Sequence, residues 1–296
     1  MISILIPVYN YNISKLATTL HKEAISLDID FEIICFDDHS ERFTTENKTT
    51  LESLKHSKYI YANSNVGRTA ARQQLSDNAT FDWLLFLDAD VIPKSSAFIK
   101  NYLDEIPNNY DAVFGGFAYE DQKPEGDSVL RWTYGKNFEQ VDAKKRNLNP
   151  YQVIISANFM IKKSIFNQVY KQIDIKTYGT DNYIASLLKE ENAKVYHINN
   201  EVFHLGLESN TIYFNKIKAS VLALIWLQKQ HKMDNHENKL LSTFVSLKKF
   251  KLNYLLSLCF KLFGTSMEKN MLSDRPNMML LQLYKLTFIC YKDLNG

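Results

Sequence analysis

Short apolar runs, each closed by polar residues, punctuate the first 120 positions of the chain. Ile2–Val8 (ISILIPV), residues 31–36 (FEIICF), residues 59–62, Trp83–Leu87 (WLLFL) and residues 112–117 have the length and continuity of strands buried on both faces. Between them apolar residues recur at helical spacing. Ile13, Leu16, Leu20 and Leu27 mark one helix. Residues 66–75 mark a second, with Asn65 placed to cap it, and residues 95–105 a third, with Ser95 or Ser96 as its cap. Apolar strands alternating with helices predict a mostly parallel sheet covered by helices. Residues 118–150 are polar and aperiodic, which predicts a long loop of the kind that covers active sites.

Further on, residues 153–161 and 194–198 read as strands, and residues 164–170 and 181–191 as helices. From Thr211 the pattern is helical only. Phe214, Ile217, Val221 and Leu224 form one apolar stripe, and residues 239–263 and 277–292 suggest two more helices. The expected organisation is an α/β body over residues 1–210 and a helical region over 211–296.

Composition narrows the class. Of 296 residues, 45% are apolar and 13% aromatic, more than a disordered chain carries. Nine glycines and six prolines exclude collagen-like and linker-rich architectures. Cys35, Cys259 and Cys290 are too few and too far apart for a disulfide framework or a cysteine zinc site. The opening MISILIPVYN has no basic segment and no small-residue cleavage site, so it is expected to be a strand and not a signal peptide. No apolar run reaches about 18 residues, so no membrane span is expected, and a cytoplasmic location follows as the default.

The formal charge of +2 hides an asymmetry. Residues 1–210 hold 22 basic and 28 acidic side chains, and residues 211–296 hold 13 and 5. In the basic tail Phe244, Phe250, Tyr254, Phe260 and Phe263 interleave with Lys248, Lys249, Lys251 and Lys261. Such helices can lie on an anionic membrane surface. The same pattern fits an appendage packed on the body with a solvated lysine face. No nucleic-acid motif accompanies the charge, so no nucleic-acid partner is expected.

The polar clusters fall at the carboxyl ends of the predicted strands, where open α/β sheets bind ligands. Asp88-Ala89-Asp90 follows WLLFL. Two carboxylates this close can both approach one hard cation, Mg2+ or Mn2+, whose other ligands are waters and substrate phosphates. The alternative is a pair of capping acids before the next helix. Asp37-Asp38 can hydrogen-bond a base or ribose, or form a solvated turn. Gly115-Gly116 can be a plain turn or let the backbone pass close to a ligand, and Asn158 can be an ordinary strand-end polar residue. Asp181 can be a capping residue after a Tyr178-Gly179 turn, or a carboxylate presented for proton transfer.

The motifs IPVYN, CFDDHS, NVGRTAAR and FLDAD, in this order, resemble the family 2 glycosyltransferases of GT-A fold. SANFMIKKSIF (156–166), YGTDNYIASLL (178–188) and EVFHLGLES (201–209) extend the likeness across about residues 1–210. The resemblance implies a Rossmann-like GT-A domain. Pro7 and Tyr9 would lie beside a nucleotide base bonded by Asp38 and Asp37. Arg68 would lie near the nucleotide, and Arg72 would brace the loop. Asp88 would hold ribose or sugar, Gly115-Gly116 would let the backbone pass close to the sugar with Gly116 on the donor side, and Asn158 would help to shape the acceptor side. Asp90 would bind the metal, with His204 a further metal or phosphate contact, and Asp181 would be the catalytic base. Thr180-Asp181 departs from the family's usual Glu-Asp but keeps the Asp. No Gln-x-x-Arg-Trp motif is present, so the chain does not resemble a processive synthase.

The implied reaction is an inverting transfer from a nucleoside diphosphate sugar, UDP-sugars first, to a glycan or lipid-linked acceptor. The implied setting is bacterial surface polysaccharide or glycoconjugate assembly at the inner face of the plasma membrane. Other readings fit less well. FLDADVI also resembles the first motif of haloacid-dehalogenase phosphatases, but that motif normally opens its domain and its downstream acidic partner is missing. A nucleotidyltransferase would begin with a glycine-rich, basic phosphate loop. A degenerate, non-catalytic homologue would be expected to lack Asp90 or Asp181, and both are present.

Overall fold

The computed structural model describes residues 1–173 and 178–296. The chain runs β1 (Ile2–Val8), α1 (Ser14–Ser26), β2 (Phe31–Asp37), α2 (Thr44–Ser53), β3 (Ser57–Tyr61), α3 (Arg68–Asn78) and β4 (Trp83–Leu87). It continues through β5 (Val91–Pro93), α4 (Phe98–Leu103), β6 (Ala112–Phe114), β7 (Phe117–Ala118), α5 (Val129–Tyr134) and α6 (Ala143–Arg146). Then come β8 (Asn158–Lys162), α7 (Lys163–Tyr170), α8 (Thr180–Glu190), β9 (Val195–His197) and β10 (Val202–His204). Four helices follow: α9 (Asn210–Lys229), α10 (Lys239–Lys249), α11 (Asn253–Met271) and α12 (Met278–Asn295).

The main sheet has the order β3-β2-β1-β4-β8-β6-β9. Its pairs are parallel except that β8 runs antiparallel to both neighbours, β4 and β6. Pro7 is tolerated in central β1 because pairing with β4 stops at Leu5↔Phe86, so its missing N–H breaks no bond on that side. Both faces are covered. Ile2, Ile4 and Ile6 pack with Leu16, Ala17 and Leu20 of α1. Leu5, Ile34 and Phe86 lie in a second cluster that includes Ala71 and Leu75 of α3 and runs on to Phe214, Leu224, Tyr284 and Phe288 of α9 and α12. Phe86 stacks on Phe159 and Phe166, with ring centroids 5.1 and 4.6 Å apart. Truncating such a ring costs about 3–5 kcal/mol.

A small second sheet, β5-β10-β7, stands at the carboxyl end of β4. It explains why residues 112–117 do not form one strand. Gly116 has φ +87°, a left-handed conformation that favours glycine, and beyond it Phe117 leaves the main sheet to pair with Val202.

Several other expectations are corrected. The 118–150 segment is partly helical, with α5, a wide helical turn over 135–139, and α6. Asn210 holds the start of α5 by accepting the Leu130 N–H at 2.7 Å. Residues 153–157 lie outside β8, although Ile154, Ile155 and Ala157 are buried and the Ala157 carbonyl accepts the Asp88 N–H at 3.0 Å. Asn65 does not cap α3, whose cap is Gly67; its amide donates to the Asp38 carbonyl. Nor does a serine cap α4, which begins after Ala97. The 239–263 helix is broken between α10 and α11, where Lys251 has φ 60°. No helix among the described residues is long and apolar enough to cross a membrane.

Candidate active site

A cleft of about 1220 Å³ opens between the carboxyl end of β4, the start of α3, the start of α8 and helices α5, α9 and α12. This is somewhat larger than the roughly 300–1000 Å³ of an ordinary small-ligand pocket. Arg68, Arg72, Asp88, Asp90, Asp181 and His204 all line it.

Asp88 leaves β4 into the grip of two guanidiniums one helical turn apart on α3. Arg72 Nη2 lies 2.5 Å from Oδ1 and Arg68 Nη2 lies 2.9 Å from Oδ2. Arg72 is buried and also donates to the Ser156 carbonyl at 2.7 Å, so it braces the site from beneath. Arg68 is half-exposed and reaches the Ser156 hydroxyl at 3.1 Å. That hydroxyl donates to Asp181 Oδ1 at 2.6 Å. One chain of polar contacts therefore joins β4, α3, the loop before β8, and α8.

Asp181 sits in the first turn of α8 but does not cap it. The cap is Gly179, with φ +93°, where a Cβ would meet the Ser220 hydroxyl at 2.8 Å. The carboxylate faces the cleft instead.

Asp90 belongs to a second grouping. Antiparallel pairing of β5 with β10 sets His204 opposite Val91, which brings His204 Nε2 to 3.3 Å from Asp90 Oδ2. Gly206 makes room for that carboxylate, since a Cβ there would fall 2.1 Å from Oδ2. Burial pushes the Asp90 carboxyl up, but the His204 imidazole and the Arg68 guanidinium outweigh it and hold it below the usual value. His204 Nδ1 is buried with no hydrogen-bond partner among the described residues. The idea that both acids of Asp88-Ala89-Asp90 approach one ion is corrected, because Asp88 is turned onto Arg68 and Arg72. No group of three His, Cys, Asp or Glu among the described residues is arranged to hold a metal by itself. A carboxylate and an imidazole side by side at the cleft wall fit an ion that takes its remaining ligands from phosphate oxygens and water.

The other expected residues separate. Pro7 and the exposed Tyr9 end β1, outside the cleft lining. Asp37 is fully buried, with Oδ1 accepting from the Ser40 N–H at 2.8 Å and Oδ2 from the Tyr59 hydroxyl at 2.6 Å. It braces a loop and cannot touch a base. Asp38 accepts the Val66 and Gly67 N–H groups at 2.6 and 2.9 Å and so fixes the entry to α3. Gly116 and Asn158 are also corrected. A Cβ on Gly116 would meet Arg146 at 2.9 Å, so its neighbour is that side chain and not a sugar. Asn158 is completely buried, bonded to the Tyr102 hydroxyl and to the Gly116 and Asn200 carbonyls, and shapes no acceptor side.

Two groups escaped the sequence reading. Ser156 lies in the SANF motif, a signal that could have found it. Buried Arg131, paired with Glu139 at 2.9 Å and set over the Tyr213 ring at 4.8 Å, lines the far half of the cleft. It comes from the segment read as loop, where nothing set it apart.

The fold is shared with solved structures. The crystal structure of S. aureus TarS 1–349 matches with a TM-score of 0.53 at 14% identity, over 98% of this chain and 89% of that one. A longer S. aureus TarS chain matches with a TM-score of 0.50 at 14% identity, over 76% of this chain, which spans only 39% of that one. A mycobacterial protein matches with a TM-score of 0.51 at 11% identity, over 76% and 74% of the two chains. No curated protein sequence matches the chain. The strand-end motifs that build the cleft lie mostly within residues 3–170, more than half of the chain, which match the model of "Glycosyl transferase family 2", and the chain belongs to that family.

Proposed function

We propose that this glycosyltransferase is an inverting, metal-dependent enzyme. It would move a sugar from a nucleoside diphosphate sugar, UDP-sugars first, to a hydroxyl of a glycan or lipid-linked acceptor. The observation that carries this reading is the position of Asp181. It is not used as a helix cap, its orientation is fixed by Ser156, and it faces the same cleft as Asp90 and His204.

In this reading the diphosphate lies between Arg68 and the Asp90–His204 edge. The base extends along Val66 and Gly67, whose loop Asp38 holds, toward the exposed Tyr9. The acceptor enters from the side of α5, α9 and α12. Asp181 takes the proton of the acceptor hydroxyl as that oxygen bonds to the anomeric carbon. The bond from that carbon to the diphosphate oxygen breaks, and its electron pair leaves with the nucleotide. One displacement inverts the anomeric centre. Arg68 stabilises the negative charge gathering on the leaving group. Asp90 and His204 would hold Mn2+ or Mg2+, which when bound neutralises phosphate charge. The family resemblance and the basic tail support a place in cell-surface polysaccharide or glycoconjugate assembly, on the cytoplasmic side of the plasma membrane.

The test is calorimetric titration of UDP, GDP, dTDP and CDP, each with Mn2+ and again with EDTA. Binding of UDP that requires Mn2+ is expected. Binding of another nucleotide alone would replace UDP as the donor class. Binding of none would point to a degenerate homologue that does not catalyse transfer.

A further inference from the structure

Helix α11 buries one face and leaves a second, apolar face in solvent. Its small and polar residues Asn253, Ser257 and Gly264 are buried, and α12 lies against it. Met267 and Met271 are buried with them and Leu256 and Phe260 pack partly on the core, but a second set of large apolar residues points away from the protein. Leu255 is 65% exposed, Leu258 52% and Leu262 67%, and Tyr254 is exposed beside them. These positions share one helical face, with spacings of one, four and eight residues from Tyr254. At the tip between α10 and α11, Phe250 is 73% exposed and Leu252 also projects. Of the aromatics that the sequence grouped together, only Phe244 and Phe260 turn inward. An exposed apolar patch this continuous marks a contact surface.

The charges around the patch have one sign. Lys249 and Lys251 flank the tip, and Lys261 and Lys269 lie along α11. None of the four has a carboxylate partner among the described residues. By contrast, Lys248 is neutralised by Asp293 at 2.8 Å. The one acidic residue of α11, Glu268, is occupied by Lys218 at 2.9 Å and by the Tyr284 hydroxyl. Lysine stems can lie along apolar surface while their ammonium groups reach outward to phosphate.

We infer that the tip and outer face of α11 form an interfacial docking surface for an anionic lipid bilayer. Leu255, Leu258, Leu262 and Phe250 enter the acyl boundary, and Lys249, Lys251, Lys261 and Lys269 contact acidic head groups. Charge favours a bilayer over a second copy of the chain. A twofold contact would set this patch against itself and bring unpaired lysines together. The inference is independent of the transfer reaction, because none of these residues lines the cleft.

The experiment is vesicle flotation of the full chain, with phosphatidylcholine alone and with about 30% phosphatidylglycerol, in about 0.1 M and about 0.5 M salt. Flotation is expected with the anionic vesicles in low salt and should weaken sharply in high salt. L258D/L262D should abolish it, and K249E/K251E should weaken binding about tenfold or more. Circular dichroism should show both variants folded, because every altered side chain is exposed. Failure of the native chain to float with anionic vesicles would overturn the inference. So would unchanged flotation of either folded variant, or light scattering that shows a dimer which L258D/L262D dissociates.

Discussion

The Ser156 hydroxyl donates to Asp181 at 2.6 Å and accepts from Arg68 at 3.1 Å, so one buried serine joins the proposed base to the cation nearest the proposed leaving group. If Asp181 takes the acceptor proton, the two residues should respond differently to substitution. Asp181→Asn keeps the shape and loses the basicity. It should reduce transfer about 1,000-fold or more while nucleotide affinity stays nearly native. Ser156→Ala leaves the carboxylate in place but free to rotate, and kcat should fall about tenfold with little change in donor KM. Single-turnover transfer assays and nucleotide calorimetry on the same variants check both. Full transfer activity in Asp181→Asn would remove it from the role of base.

How much of this was legible depended on the reach of each signal. β1 and β4 are readable to their end residues because buried parallel strands are unbroken apolar runs. Helix α2 escaped because Leu51 is its only buried apolar residue, its other inward position being Asn47, which bonds the Ile13 N–H and the Tyr11 carbonyl. β5 and β10 are three residues each, too short to show a period, yet their pairing alone carries His204 to Asp90. Motif resemblance pointed to both residues and could not state that they touch. Asp37 shows the opposite failure. An acid at a strand end reads as a ligand group until the Tyr59 hydroxyl and the Ser40 N–H are seen to occupy it.

The Asp90–His204 edge should carry the metal dependence of nucleotide binding. Asp90→Asn and His204→Ala should each remove the difference between titrations with Mn2+ and with EDTA. Gly206→Ala is the sharper probe, since it alters neither donor atom. The added methyl would displace the Asp90 carboxylate and should raise the Mn2+ requirement about tenfold or more, as loss of positioning around a metal ligand does. Native Mn2+ dependence in His204→Ala would leave the imidazole out of the site.

The two arginines that hold Asp88 should separate stability from binding. Arg72 is buried, so Arg72→Met strips a charged partner from Asp88 and a donor from the Ser156 carbonyl. The expected loss is about 2–4 kcal/mol, read as a fall in urea midpoint. Arg68 is half-exposed, and solvent screening limits its pair with Asp88 to about 1 kcal/mol or less. Arg68→Ala should therefore unfold near the native midpoint while binding nucleotide more weakly. Equal destabilisation by the two substitutions would mean that Arg68 is held as tightly as Arg72.

His197 should make the fold sensitive to mild acid. It is buried on β9, with Nδ1 facing Arg146 Nη1 at 2.9 Å and Nε2 facing the Pro150 carbonyl at 2.8 Å. An arginine can only donate, so Nδ1 accepts, Nε2 carries the proton, and the ring is neutral. Burial, aided by the nearby Arg146 charge and opposed by the Pro150 carbonyl, lowers its pKa from 6.5 to about 4. The unfolded chain therefore binds a proton that the native chain refuses. This contribution is complete above pH 6.5 and is lost as pH falls toward 4, by about 3 kcal/mol at the lower end. In His197→Gln the side-chain amide can accept from Arg146 and donate to the Pro150 carbonyl without titrating. Urea unfolding at about pH 7.5 and about pH 4.5 should show a loss of about 2–3 kcal/mol in the native chain beyond that in His197→Gln. Identical losses in the two proteins would place the acid sensitivity in other groups.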